Sequence, residues 1–217
     1  YAGTPVYNVT KDDLNALMAV CDKYGIPFEW MVNLINFESG RTFNPAITNS
    51  IGATGLIQFI PSTAAGACLN TSTAALRQMT FRQQLAYVDR YLGCNLKQHL
   101  TISGKIPSHF TQGDLFMTIF YPVAVGRPDY VFPVNVQNAN SGIARPRDYV
   151  NKALAASLFP VHVFPYTLAE VKKKYGNAIT FTKNHWVPIM IIGIVLVIMA
   201  ILLLVYRKKV TNYIVAA

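Results

Sequence analysis

The carboxylate most able to do chemistry in this chain is Glu38, in the stretch "NLINFESGRTFNPAITNSIGATGLIQFIPSTA" that runs from Asn33 to Ala64. It is the only acidic residue between Glu29 and Asp89. Met31, Leu34 and Ile35 precede it at helical spacing, and Glu38 occupies the next position on the same seam, where an apolar residue belongs. Burying an ionised carboxylate without a partner costs several kcal/mol, so such a group protonates more readily and its pKa rises. A carboxyl titrating near neutrality is the requirement for a general acid. The ordinary alternative is a helix-end glutamate facing water.

A glycosidase of the usual kind needs two carboxyl groups flanking the scissile bond. Glu29 is a poor partner, about 180° around the helix and roughly 13 Å along it. The fold could still bring up Asp89, Asp114, Asp129 or Asp148. The four histidines are scattered and no zinc spacing is present, so neither a metal nor any other cofactor is expected.

The elements that must position Glu38 are helical. Thr10 and Asp13 form the frame of a capping box, followed by the stripe Leu14, Leu17, Cys21 and Tyr24, which Gly25 closes. Pro27 fits the first turn of a second helix that Gly40 can end. Residues 41–61 read as a loop folded around something, and a third helix begins near Pro61 and Ser62. Phe81–Leu92 is amphipathic through Leu85, Val88 and Leu92, and Thr111–Pro122 is a further apolar helix. Pro146–Leu158 supplies the last helix, and the stretch from Val123 to Ile143 reads as irregular. Cys21, Cys68 and Cys94 are odd in number; a Cys68–Cys94 bridge is conceivable, but spacing alone does not assign it.

The end of the chain has another character. "WVPIMIIGIVLVIMAILLLVY", from Trp186 to Tyr206, carries no charge. Its apolar part would span roughly 28 Å as a helix, close to the ~30 Å bilayer core. Trp186 and Tyr206 are suited to the interfaces, and Arg207, Lys208 and Lys209 follow. Residues 1–169 hold twelve Lys/Arg against nine Asp/Glu, whereas residues 170–217 hold seven against one. The basic character is therefore mostly juxtamembrane and suits anionic lipid rather than specific nucleic acid. The charge next to the span favours an exported N-terminal domain, although Lys172–Lys174 weaken that argument. No cleavable signal is visible, and the absence of an initiating Met fits a processed product.

"ESGRTFNPAITNSIGATGLIQFIPSTA" resembles the catalytic signature of the lysozyme-like lytic transglycosylases, a superfamily that includes the goose-type lysozymes. Glu38-Ser39, Phe43-Asn44-Pro45, Ser50, Gly52-Ala53, Gly55-Leu56, Gln58, Pro61 and Thr63-Ala64 all fall in its pattern. The downstream "IFYPVAVGRPDY" is similar to a segment whose tyrosine lines the cleft, here Tyr121, but it lacks the usual Asn and looks like phage-associated variants. The resemblance implies cleavage of the β-1,4 bond between N-acetylmuramic acid and N-acetylglucosamine, with Glu38 as acid and then base. It implies substrate binding or orientation by Ser39, Gln58 and Tyr121, and close approach of backbone to sugar at Gly52 and Gly55.

The expected fold class is mainly α: a lysozyme-like α(+β) domain followed by a single transmembrane helix. The expected organisation is an N-terminal extension (1–10), the transglycosylase domain (11–165), a basic stalk (166–186), the span (187–206) and a basic tail (207–217). Expected partners are peptidoglycan glycan strands, a lipid membrane, and virion or envelope-complex proteins. The membrane is that of a phage virion or the bacterial inner membrane, with the catalytic domain facing the wall. A hydrolytic goose-type muramidase and a largely structural virion component are the alternatives.

Overall fold

The computed structural model describes residues 5–155, all within the first of the two units into which the chain divides, Tyr1–Ile179. The predicted stalk, span and tail lie outside the described residues, as does the end of the predicted domain. Among the described residues no helix is long and apolar enough to cross a membrane.

Helix α1 (Lys11–Tyr24) begins where its sequence says it should. The Thr10 hydroxyl accepts the Asp13 N–H at 3.2 Å, and the Asp13 carboxylate accepts the Thr10 N–H at 2.9 Å. Each partner thus satisfies a donor that the first turn leaves free. Gly25 ends the helix in the left-handed region at φ 71°, a conformation that costs a side-chain-free residue nothing. Helix α2 (Phe28–Glu38) follows after one proline; Pro27 stands just before the helix rather than inside its first turn. Its seam is buried as expected, with Met31, Leu34 and Ile35 fully covered. The helix stops at Glu38 itself, and Ser39 caps it.

From Gly40 to Ile60 the chain makes turns and isolated antiparallel bridges, Thr48 with Thr54 and Thr54 with Phe59. These bridges are the whole β content of the described residues. Two short helices follow, α3 (Pro61–Ala65) and α4 (Thr73–Arg77), the latter without a counterpart in the sequence reading. Helix α5 (Phe81–Asn95) packs along α1 and runs past the expected Leu92. Tyr24 of α1 fastens the pair by donating to both the backbone oxygen and the carboxylate of Asp89.

Helix α6 (Gln112–Phe120) is capped by Thr111 and ends before Tyr121 and Pro122. The segment expected to be irregular contains a 3-10 turn at Pro122–Ala124 and a short helix α7 (Val134–Ala139). Proline sits before or at the start of each, where a missing N–H costs nothing. Helix α8 (Pro146–Ala155) is the last described element. α2 packs against α1, α6 and α8 and is the centre of the core.

Cys68 and Cys94 form a disulfide that ties the segment after α3 to the last turn of α5, across 26 residues. Cys21 is free and buried, and burial pushes its thiol up. Closing a loop of that length removes about 3 kcal/mol of chain entropy from the unfolded state. Replacing both bridged cysteines by serine should lower the unfolding free energy by that order in a denaturant titration, with the native circular dichroism spectrum retained.

Candidate active site

Glu38 closes α2, so its carboxyl stands at the negative end of the helix dipole, and no basic side chain lies in that last turn. The residue is half-buried, above a layer of fully covered apolar side chains. Desolvation raises its pKa to about 7, opposed in part by a hydrogen bond from the Tyr149 hydroxyl to Oε1. The hydrogen bond favours the charged form and burial the neutral one, and burial dominates. The group therefore exists in both protonation states at neutral pH, as a proton donor that must later become an acceptor requires.

Tyr149 is held from every side. Its ring lies 4.3 Å from that of Phe120 in a stacked pair, with Phe37 edge-on at 5.2 Å and Phe116 edge-on at 6.3 Å. The start of α8 is fixed by Asp148, whose Oδ2 accepts the N–H groups of Ala144 and Arg145. α8 carries the hydroxyl, α2 the carboxyl, and α6 the rings of Phe116 and Phe120 that pack on Tyr149. Tyr149 lies outside the family segment, whose tyrosine is Tyr121. The signal was present nonetheless: Tyr149 and Ala153 form the buried stripe of α8, and a polar-tipped ring on an apolar stripe needs a partner.

Tyr121 is elsewhere in the aromatic cluster. It packs edge-on to Phe132 at 5.2 Å and its ring lies 5.8 Å from that of Tyr130, the neighbour that chiefly raises its pKa. Phe132 in turn packs on Phe120, so a continuous run of rings joins Tyr121 to Tyr149.

The four aspartates that could have supplied a second carboxylate all have other employment. Asp89 holds Lys23 and Tyr24, and Asp114 caps α6 and accepts the Gly126 N–H. Asp129 pairs with Arg147, and Asp148 caps α8. Burial also raises Glu29, to about 7, but it sits in the first turn of α2 and Glu38 in the last. Among the described residues no group of three or more His, Cys, Asp or Glu side chains could hold a metal ion.

The signature residues after Glu38 build the loop rather than line it uniformly. Ser39 is fully buried; its hydroxyl accepts the Phe43 N–H at 3.0 Å and its carbonyl accepts the Thr42 hydroxyl at 2.7 Å. This geometry fits the orienting role rather than direct contact with a sugar, because the hydroxyl is inside the turn. Arg41, Phe43 and Gln58 adopt positive φ without being glycine, a local strain that only a well-determined surrounding sustains. Gln58 is half-buried and donates from Nε2 to the Gly55 carbonyl at 3.0 Å. Gly55, expected to approach the sugar, is buried; a Cβ there would stand 2.3 Å from Oε1 of Gln84. The close approach that requires glycine at this position is to protein.

Both states of Glu38 carry measurable consequences. Its folded pKa lies above the ordinary value of 4.5, so the native state binds the proton more tightly than the unfolded chain. The protein should lose stability as pH rises from about 4.5 through about 7, by about 3 kcal/mol from this group. Glu38→Gln should remove that dependence and raise the melting temperature at pH 8, while leaving it unchanged at pH 4. Tyr149→Phe should shift the Glu38 titration to higher pH, read by carboxyl-carbon NMR. A shift to lower pH would show that the Tyr149 hydrogen bond does not favour the charged form.

No curated protein and no solved structure matches the chain. Residues 17–83, from the middle of α1 to the first turn of α5 and including Glu38 with the whole loop behind it, match the family model of the Transglycosylase SLT domain.

Proposed function

We propose that the protein is a peptidoglycan lytic transglycosylase that cleaves the β-1,4 bond between N-acetylmuramic acid and N-acetylglucosamine. The observation that carries the reading is the half-buried carboxyl of Glu38, raised to about 7 by burial at the end of α2 and hydrogen-bonded by Tyr149. The match of residues 17–83 to the transglycosylase domain supports the substrate class.

Protonated Glu38 donates its proton to the glycosidic oxygen as the bond to the muramic C1 breaks, releasing the N-acetylglucosamine end with a free hydroxyl. The carboxylate so formed accepts the proton of the muramic 6-hydroxyl while that oxygen bonds to C1. The product is a 1,6-anhydro end, no water is consumed, and Glu38 regains its proton. A nucleophile tethered within the substrate has a high effective concentration, so a second protein carboxylate is unnecessary. The commitment of Asp89, Asp114, Asp129 and Asp148 to other partners agrees with this economy. Ser39 orients the turn that carries Glu38, and Gln58 and Tyr121 contribute to the glycan cleft.

The setting follows from the sequence beyond the described residues. The charge-free run from Trp186 to Tyr206, flanked by Arg207–Lys209, supports a membrane anchor. Tethering confines a destructive activity and raises its local concentration. The phage-like form of the Tyr121 segment favours a virion, where local wall opening aids genome entry; a bacterial envelope machine is the other setting.

Incubation of the full chain with purified peptidoglycan should release muropeptides with 1,6-anhydro ends, identified by mass spectrometry. Glu38→Gln should lower turnover by at least about a thousandfold at unchanged fold, since general acid and base are both lost. Reducing ends in place of anhydro ends would assign a goose-type hydrolase. Full activity in Glu38→Gln would remove the proposal. In a liposome flotation assay the full chain should float and a chain ended at residue 165 should not.

A further inference from the structure

A buried amide on α5, outside the signature motif, controls the shape of the loop behind Glu38. Gln84 is fully covered, and its side chain makes three hydrogen bonds. Its Oε1 accepts the Leu56 N–H at 2.6 Å. Its Nε2 donates to the Pro45 carbonyl at 2.9 Å and to the Leu76 carbonyl at 3.0 Å. Both amide protons are therefore used, and the oxygen has the acceptor role for which only an amide or a carboxyl would serve. Pro45 and Leu56 are the two ends of one stretch of loop, so a single side chain clasps that stretch at its neck. Gly55 lies against the clasp, and the Gln58 side chain hangs from the Gly55 carbonyl. Leu76 adds α4 to the same joint.

We infer that Gln84 is a positioning residue: it fixes the Pro45–Leu56 loop as one wall of the glycan cleft, and through Gly55 it fixes Gln58. This inference rests on the functional reading given above. The reactive Glu38 is held separately, by α2 packing and by Tyr149, so loosening the clasp affects grip on the substrate more than the proton transfers. A buried unsatisfied N–H or carbonyl is costly, and removing the amide leaves two such backbone groups, the Leu56 N–H and the Pro45 carbonyl, while the Leu76 carbonyl keeps the Met79 N–H.

The test uses the full chain with three variants. Gln84→Leu keeps the side-chain volume but none of the hydrogen bonds. In hydrogen exchange its Leu56 amide should exchange at least about tenfold faster than in wild type, the equivalent of one lost hydrogen bond. KM for soluble glycan strands should rise by about tenfold with kcat changed less than about threefold. Gly55→Ala, which drives a methyl group into the amide, should show the same split.

Gln84→Glu supplies a chemical signature and a safeguard should Gln84→Leu fail to fold. Its carboxyl can accept from Leu56 in either state but can donate to Pro45 or Leu76 only when protonated. The activity of Gln84→Glu relative to wild type should therefore rise as pH falls from about 8 to about 5. A flat ratio, or unaltered Leu56 exchange in a folded Gln84→Leu chain, would overturn the assignment. Equal loss in kcat with unchanged KM would overturn it as well. If wild type itself cleaves no glycan, the functional reading fails, and the exchange data alone then judge the clasp.

Discussion

The structure is organised around the cost of keeping one carboxyl out of water. Glu38 occupies the C-terminal end of α2, where the helix dipole opposes negative charge, over a seam of Met31, Leu34 and Ile35 that excludes solvent. Nothing in that arrangement favours stability at neutral pH. A glutamine there would keep the hydrogen bond to Tyr149 and shed the ionisation penalty. An acid at such a site costs stability that a glutamine would not.

Around that group the protein separates two tasks. α2, α6 and α8 hold the Glu38–Tyr149 pair by packing aromatic rings about Tyr149. The loop from Gly40 to Ile60 is held instead by hydrogen bonds: Asn49 accepts from Ile51 and Ala53, the Ser39 hydroxyl accepts from Phe43, and Gln84 clasps the neck. Polar networks set a backbone path with a definition that apolar contacts cannot match, because each bond has a direction. The loop gains its shape from this, and the setting of Glu38 is independent of it.

What the sequence revealed, and what it concealed, follows the range of the interactions involved. The start of α1, the stop at Gly25 and the covered seam of α2 rest on residues within a few positions of each other, and they are legible as spacing. Glu38 was legible for the same reason, as an acid in register with an apolar face. Tyr149 and Gln84 were not, because each acts across a long separation, on Glu38 and on Leu56. Gly55 marks a close approach in the sequence without saying to what, and the structure shows Gln84 against it. Helix α7 was hidden by the turn-forming residues around it, and α4 by its brevity.

The cysteines carry one more implication. With two of three joined, the remaining thiol is a threat to the bond, because an exposed thiolate at Cys21 could attack either bridged sulfur and reshuffle the pairing. Burial against the α1 core removes that threat twice over: it bars contact, and it holds sulfur in the unreactive protonated form. Covalent fidelity in this domain is therefore inherited from its apolar packing. Heat or denaturant that opens α1 would release the attacker along with its targets, and exchange among the three sulfurs would then compete with refolding.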